Sequence, residues 1–415
     1  MTYPFQIGAL SDDGDVDYHA SDHLSASVFT GYNGERAWCA RMRRDPTFRS
    51  ENIRIVRAAD GILASQLYVI DRTVRIESSE LRMGGIGGVG TDPKYRKQGM
   101  ASALMRDAEA FMKTNDFDIS ILFSIPEDYY TRFGYMTVLP EFTTTLMGLA
   151  RLKTLSAIKS SMQVRKLKPG DITSISGLYA AVHSEVTGSV KRSTAHWKWL
   201  TTHPEFNGIA VCDGNRVVAY ALIRRESDRV IMHEIGSYPS PQVHDAMIRY
   251  LARYTLNSGL TKLCLEVPPD LPFARFSALE FEATQQVVVP KKRGGMARIL
   301  NLQSTMKKLE KVLTDRLRSS QYRDMIRSMI IDTDIGTIRL AMDAGSVSTH
   351  LIPDDQSPQP DLAIPQSALV GLILGLYYPS HIWEVWGRPI PPDILSVLTV
   401  LFPKRFPHVT WIDHF

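Results

Sequence analysis

Apolar positions in the first 150 residues fall mainly into short extended runs. Two short helical stretches open the chain, around residues 23–32 and 36–44, and Pro46 closes the second. Apolar runs over Ile53–Arg57, 62–70, 72–78 and 81–91 then read as strands. Turns such as Ala59-Asp60-Gly61 separate them, which predicts antiparallel hairpins. A helix follows over 99–115, with Met100, Leu104, Ala108, Phe111 and Met112 on one face. The run from Ile119 to Phe123 reads as a buried strand.

Residues 150–166, rich in Lys, Ser and Thr, read as a connector. From Val164 the pattern partly recurs: a helix over 172–183, strands over 209–212 and 216–224, a helix over 243–257 and a strand over 262–266. The basic Lys291-Lys292-Arg293-Gly294-Gly295 marks the next boundary. Beyond it come an amphipathic helix over 302–317, a strand pattern over 329–342 and apolar helices over 366–376 and 391–401, where Pro391 and Pro392 suit a helix start. The bulky end, Val409 to Phe415, is unusual for a frayed tail and predicts an anchored one. These patterns give an α+β class of mixed sheets flanked by helices, divided at 1–150, 151–293 and 294–415.

A length of 415 residues suits two to four domains, and an apolar share of 44% excludes global disorder. The net charge of +4 is mild and spread along the chain, so it makes no nucleic-acid footprint. Cys39, Cys212 and Cys264 lie far apart and fit neither a disulfide framework nor a zinc site. The longest apolar run, 368–378, is too short for a bilayer, which needs about 20 residues. With an acidic start that lacks a signal-peptide core, the expectation is a soluble cytoplasmic protein without a resident metal.

Gly85-Ile86-Gly87-Gly88-Val89-Gly90 spells G-x-G-x-x-G, yet Thr91-Asp92-Pro93 follows, the helix starts later, and Asp107 and Glu109, about 20 positions on, lie inside that helix. A bulged strand closely approached by another group is the better reading. The stretch Arg96-Lys97-Gln98-Gly99-Met100-Ala101 follows an apolar strand and opens a helix. Unpaired N–H groups, the helix dipole, a missing side chain at Gly99 and the charges of Lys94, Arg96 and Lys97 together suit a pyrophosphate. An ordinary basic turn capping a surface helix fits the same residues equally well.

The stretch from Gly87 to Met105 resembles the coenzyme A motif of the GNAT acetyltransferases, (Arg/Gln)-x-x-Gly-x-(Gly/Ala), with matches at Arg96, Gly99 and Ala101. Tyr130-Thr131-Arg132-Phe133-Gly134-Tyr135 resembles a signature of the enhanced intracellular survival (Eis) branch. That resemblance implies two GNAT-like domains followed by a sterol-carrier-like domain, assembled as a homohexamer. It implies an N-acetyltransferase using acetyl-coenzyme A on a primary amine, of the aminoglycoside or lysine type. Val89, Gly90, Thr91, Arg96, Lys97, Gln98, Gly99, Met100, Ala101, Ser102, Ile125 and Pro126 would then hold the cofactor.

Tyr130 sits among Tyr129, Phe133 and Tyr135, where a tyrosine is ordinarily core. The resemblance makes it the general acid, and makes the Phe415 carboxylate the general base. Trp38, Asp413 and His414 are expected at the acceptor end. His414 departs from the acidic residue known at that place in the family. Two other readings are a lipid- or partner-binding protein built on the third segment, with 368–378 lining a cavity, and an acyltransferase using a longer acyl chain.

Overall fold

The computed structural model describes residues 4–10, 15–29, 35–124, 128–158, 160, 162–204, 206–291, 293–353, 355, 358–387 and 389–415. The class is α+β, with mixed sheets flanked by helices. The first sheet contains β1 (Gln6–Ala9), β2 (Ile53–Arg57), β3 (Leu63–Ile76), β4 (Ser79–Thr91), β5 (Ile119–Ser124) and β6 (Met136–Leu139). They lie in that order, except that Gly294–Ile299 stands between β5 and β6. Helices α1 (Asp15–Val28), α2 (Glu35–Met42) and α3 (Met100–Thr114) belong to the same unit.

The second sheet repeats this order. Gln163–Lys166, Gly208–Asp213, Arg216–Arg225, Val230–Ser237 and Lys262–Leu265 occupy the places of β1 to β5. The sixth place holds Glu141–Met147, and Thr284–Val288 forms the edge. Each sheet therefore takes its sixth strand from across a boundary drawn in the sequence, at 150 or at 293. The recurrence expected from Val164 onward is present as one parallel pair, here Val230–Ser237 with Lys262–Leu265, among antiparallel neighbours.

The remaining segment forms a four-stranded sheet ordered Ser346–Ile352, Gly336–Asp343, Arg327–Thr333 and Leu362–Ala363. The helix Leu302–Arg318 packs on it with Met306, Leu309, Leu313 and Leu317 buried, a spacing that keeps them on one face. Gln366–Ile373 is almost wholly buried in the same core. That core also takes Val74, Leu81, Met83 and Ile121 from the first sheet, so the third unit packs directly on it.

The turn read near residue 71 is absent, because β3 runs unbroken from Leu63 to Ile76. Its polar pair is satisfied by partners from outside the strand: Arg72 is buried against Asp45, and Asp71 accepts from Arg82 at 2.7 Å. The stretch read as a connector holds a helix, Leu149–Ala157, and the strand Gln163–Lys166.

Candidate active site

Two neighbouring strands part at the centre of the first sheet. The parallel pairing of β4 with β5 covers only Met83–Ile86 against Ile119–Leu122. Beyond Ile86, β4 slips register against β3: Tyr68 pairs with Gly87, but Gln66 pairs with Gly90. Gly88 and Val89 together face Leu67, one residue more than the partner strand supplies, which makes a bulge, and Gly88 has a φ of +58°. This is the bulged, closely approached strand that the glycines predict.

The approaching group is the far end of the chain. A Cβ added at Gly85 would lie 2.4 Å from Cζ of Phe415, and one at Gly87 would lie 3.1 Å from the Phe415 carboxyl carbon. Phe415 also meets Phe123 edge-on at 5.4 Å between ring centroids, and His414 stacks on Phe123 at 3.7 Å. His414 Nε2 lies 3.1 Å from the Val409 carbonyl, and loss of water around the ring pushes its imidazole down to about 4. It therefore adds no charge at neutral pH. Trp38 stands edge-on to Tyr68 at 5.1 Å, and its ring would be 3.2 Å from a Cβ at Gly88.

After β4, the chain turns through Asp92, whose side chain accepts from the Lys94 N–H at 2.8 Å. Arg96, Lys97, Gln98 and Gly99 are exposed. Lys97 and Gly99 both have left-handed backbone, at φ +64° and +81°. Gly99 caps α3, and a Cβ there would meet nothing within 4 Å. An open space thus faces the free N–H groups of the first helical turn, which fits a pyrophosphate. Met100 is buried under the turn and anchors it. Val89 packs toward α3, Gly90 is buried, and the Thr91 hydroxyl lies 2.8 Å from that of Ser65. Ala101 is half-buried in the first turn.

Ser102, also in that first turn, accepts from Arg132 at 2.9 Å. The Arg132 guanidinium lies 4.2 Å from the Tyr129 ring centroid and 5.1 Å from that of Phe133. The second motif is thereby tied to the cradle. Gly134, at φ +79°, brings its carbonyl to the Gln366 amide, which also accepts from the Ile299 N–H at 2.9 Å. Neither Ser102–Arg132 nor Gln366 was legible as a pair in the sequence, because the partners are distant in the chain.

Tyr130 is half-buried, edge-on to Tyr129 at 5.0 Å and to Tyr135 at 6.4 Å. Burial, and then the neighbouring tyrosines, push its hydroxyl well above the usual phenol range, so it carries its proton at neutral pH. It packs against the core on the α3 side of the sheet, whereas Phe415 lies against Gly85 and Gly87. Gly84 turns toward Met112 of α3, so its neighbour Gly85 faces the opposite side. Tyr130 and Phe415 therefore belong to opposite faces of the parting strands.

Asp413 is placed elsewhere. Its carboxylate is buried and engaged by Arg192 at 2.7 Å, with His196 Nε2 at 3.5 Å, so it is not open to an acceptor. Arg192 and Glu234 were not singled out from the sequence for this role. The available signal was Glu234, beside His233, inside an apolar run from Val230 to Ile235, where a buried carboxylate demands a cation. Ile125 and Pro126 lie outside the described residues. Among the described residues, no group of three or more His, Cys, Asp or Glu comes together as a metal site. No described helix is long and apolar enough to cross a membrane.

Residues 14–138 match the model of the acetyltransferase (GNAT) domain. No curated protein sequence matches the chain significantly. Many solved structures share the fold, several along almost the chain's whole length. A GCN5-related N-acetyltransferase from Anabaena variabilis superposes with a TM-score of 0.75 at 16% identity, covering 99% of this chain and 100% of its own. A conserved protein and probable N-acyltransferase from Enterococcus faecalis gives 0.75 at 14%, with 99% and 100% covered. Eis1 from Mycobacterium abscessus gives 0.67 at 14%, with 99% and 100% covered. At such identities the likeness is one of fold. Residues 14–138 form an acetyltransferase (GNAT) domain, within a chain whose whole length shares the fold of these GNAT structures.

Proposed function

We propose that the chain is an acetyl-coenzyme A-dependent N-acetyltransferase that modifies a primary amine by direct attack, with Tyr130 as general acid and the Phe415 carboxylate as general base. The observation that carries this reading is the seat of Phe415 on Gly85 and Gly87, where β4 and β5 part, on the face opposite α3. A proton donor on one face and a proton acceptor on the other suit a reaction whose leaving group and nucleophile enter from opposite sides.

When bound, acetyl-coenzyme A supplies the acyl group as a thioester. Backbone N–H groups of Lys97–Ser102, with the charge of Arg96, would hold its pyrophosphate. Backbone donors of Val89–Thr91 would orient the acyl carbonyl, where fixed dipoles stabilise developing negative charge. Ile125 and Pro126 keep their cofactor assignment from the family resemblance. Tyr130 gives its proton to the departing sulfur. The Phe415 carboxylate takes one from the amine, directly or through water. An α-carboxyl titrates around 3.3–3.7 and is a weak base against an amine near 10.4, so position and charge must do most of its work. Holding amine and thioester together can supply about 7–11 kcal/mol.

The acceptor would be an aminoglycoside- or lysine-type amine. Trp38, beside the bulge, would line its approach; His414 would offer a neutral aromatic wall. The third unit as a sterol-carrier-like domain, the homohexamer and a cytoplasmic location belong to the same reading. The test is thiol release from acetyl-coenzyme A and from longer acyl thioesters across aminoglycosides, polyamines and lysine peptides. Silence with every amine and acyl donor would leave the lipid- or partner-binding reading in its place. Adding two glycines after Phe415 moves the charge by up to about 7 Å, and turnover should collapse. An unimpaired extended chain would remove Phe415 from the chemistry.

A further inference from the structure

The last seven residues cross from the second unit to the first. Trp411 is edge-on to His203 and His233, with centroids 5.4 and 5.2 Å away, and the Arg224 guanidinium lies 4.6 Å from its ring. Two residues on, Asp413 enters a cluster with no solvent exposure at the side chains of Arg192, Glu234 or Asp413. Arg192 donates to Glu234 at 2.9 Å, to Asp413 at 2.7 Å and to the Thr410 hydroxyl at 2.9 Å. The Thr410 hydroxyl donates to Asp413 at 2.9 Å, and Tyr220 donates to Glu234 at 2.7 Å. The Arg192 guanidinium also lies 4.1 Å from the Tyr179 ring centroid and 4.5 Å from that of Trp197. Every face of the cation is occupied by the second unit or by the tail.

A buried ion cluster of this kind adds little net stability over apolar packing, because desolvation offsets the Coulombic gain. Its strength lies in selecting one geometry. A slip of one residue would bring Ile412 or His414 to Arg192 and leave the buried guanidinium with Glu234 alone and its second anionic place filled by an apolar or neutral side chain. The next two residues are His414, stacked on Phe123, and Phe415, seated on Gly85 and Gly87. The register set at Asp413 is therefore transmitted directly to the chain end.

We propose that Arg192, itself held by Glu234, is a positioning residue of the second unit that locks the tail in register through Asp413 and so fixes where the Phe415 carboxylate stands. This rests on the reading of that carboxylate as the general base. The second GNAT-like unit thereby serves the reaction without touching the reacting atoms.

Asp413→Asn tests it in the full chain, since it keeps the shape and removes the charge. Thr410→Val, which removes one donor and keeps both ions, is the milder second variant. Two readouts are taken: steady-state kinetics with acetyl-coenzyme A and the preferred amine, and release of Phe415 by carboxypeptidase A. In the parent, Phe415 should resist release. In Asp413→Asn it should be released, and kcat should fall about 10²-fold, the loss associated with roughly 1 Å of misplacement. Coenzyme A affinity, measured by calorimetry, should stay at the parent value. Thr410→Val should move both readouts the same way by less, and it decides the matter if Asp413→Asn does not fold. A folded Asp413→Asn whose Phe415 remains resistant overturns the lock, whatever kcat does. A released Phe415 with parental kcat upholds the lock and refutes Phe415 as the base.

Discussion

Gly85→Ala is the sharpest probe of what the chain end does. The new Cβ would stand 2.4 Å from Cζ of Phe415 and 2.6 and 2.7 Å from its Cε atoms. Carbon atoms rest about 3.5–4.0 Å apart, so the ring must withdraw by roughly 1 Å or more. Its withdrawal is resisted by Phe123 and by the His414 ring stacked there. Overpacking should cost about 1–3 kcal/mol of stability. A reacting group displaced by about 1 Å can lose about 10²-fold in rate, or about 2.7 kcal/mol of barrier. Gly84→Ala supplies the control. Its Cβ would stand 2.2 Å from the Met112 sulfur, on the face toward α3, where a flexible thioether can yield. Both variants should lose comparable stability in urea, and only Gly85→Ala should lose kcat. Turnover is followed by thiol release and coenzyme A affinity by calorimetry. The reasoning fails if folded Gly85→Ala keeps kcat within about twofold, a change far smaller than the expected loss, or if Gly84→Ala loses as much.

Gly99→Glu should abolish coenzyme A binding in calorimetry without unfolding the chain, because the new carboxylate enters open space where a pyrophosphate must come; parental affinity would refute the cradle. Tyr130→Phe should lower kcat by about 10²–10⁴-fold with coenzyme A affinity retained, and a loss under about twofold would make it a packing residue. Glu77, in the turn joining β3 to β4, pairs with Arg316 at 3.0 Å and with Arg405. Burial alone would raise its carboxyl, but the two guanidinium groups hold it below the usual range. Its contribution is thus complete above the unfolded value near 4.3 and is lost as pH falls through the lower folded value. Urea midpoints across that interval should drop more steeply in the parent than in Glu77→Gln, and equal slopes would refute the assignment.

Local, periodic features were legible in the sequence and long-range ones were not. The helix Ile172–His183 and the strand Ile53–Arg57 stand where the pattern puts them, since apolar spacing within one element suffices. The strand, basic turn and helix around Gly99 were legible for the same reason, their parts being contiguous. Asp71 and Arg72 read as a turn because a charged pair looks exposed until Asp45 and Arg82 are seen beside it. The strand Val230–Ser237 escaped notice through His233 and Glu234, whose burial makes sense only with Arg192. The run of glycines announces that something comes close to β4. That the visitor is Phe415 depends on a tail more than 300 positions further along the chain.

The exchange of sixth strands between the two similar sheets dictates when each can be finished on the ribosome. Ser124 and its strand are synthesised early, but their antiparallel neighbour, Gly294–Ile299, emerges only after the whole second sheet has been made. At about 5–20 residues per second, that leaves the flank of β5 uncovered for on the order of 10–30 s. Meanwhile Glu141–Met147 waits for Lys262–Leu265 and Thr284–Val288. Neither sheet can close before the other is nearly complete, so the nascent chain should become protease-resistant in one late step rather than unit by unit. An excised fragment ending near residue 150 would carry one strand with no sheet and one sheet with a gap.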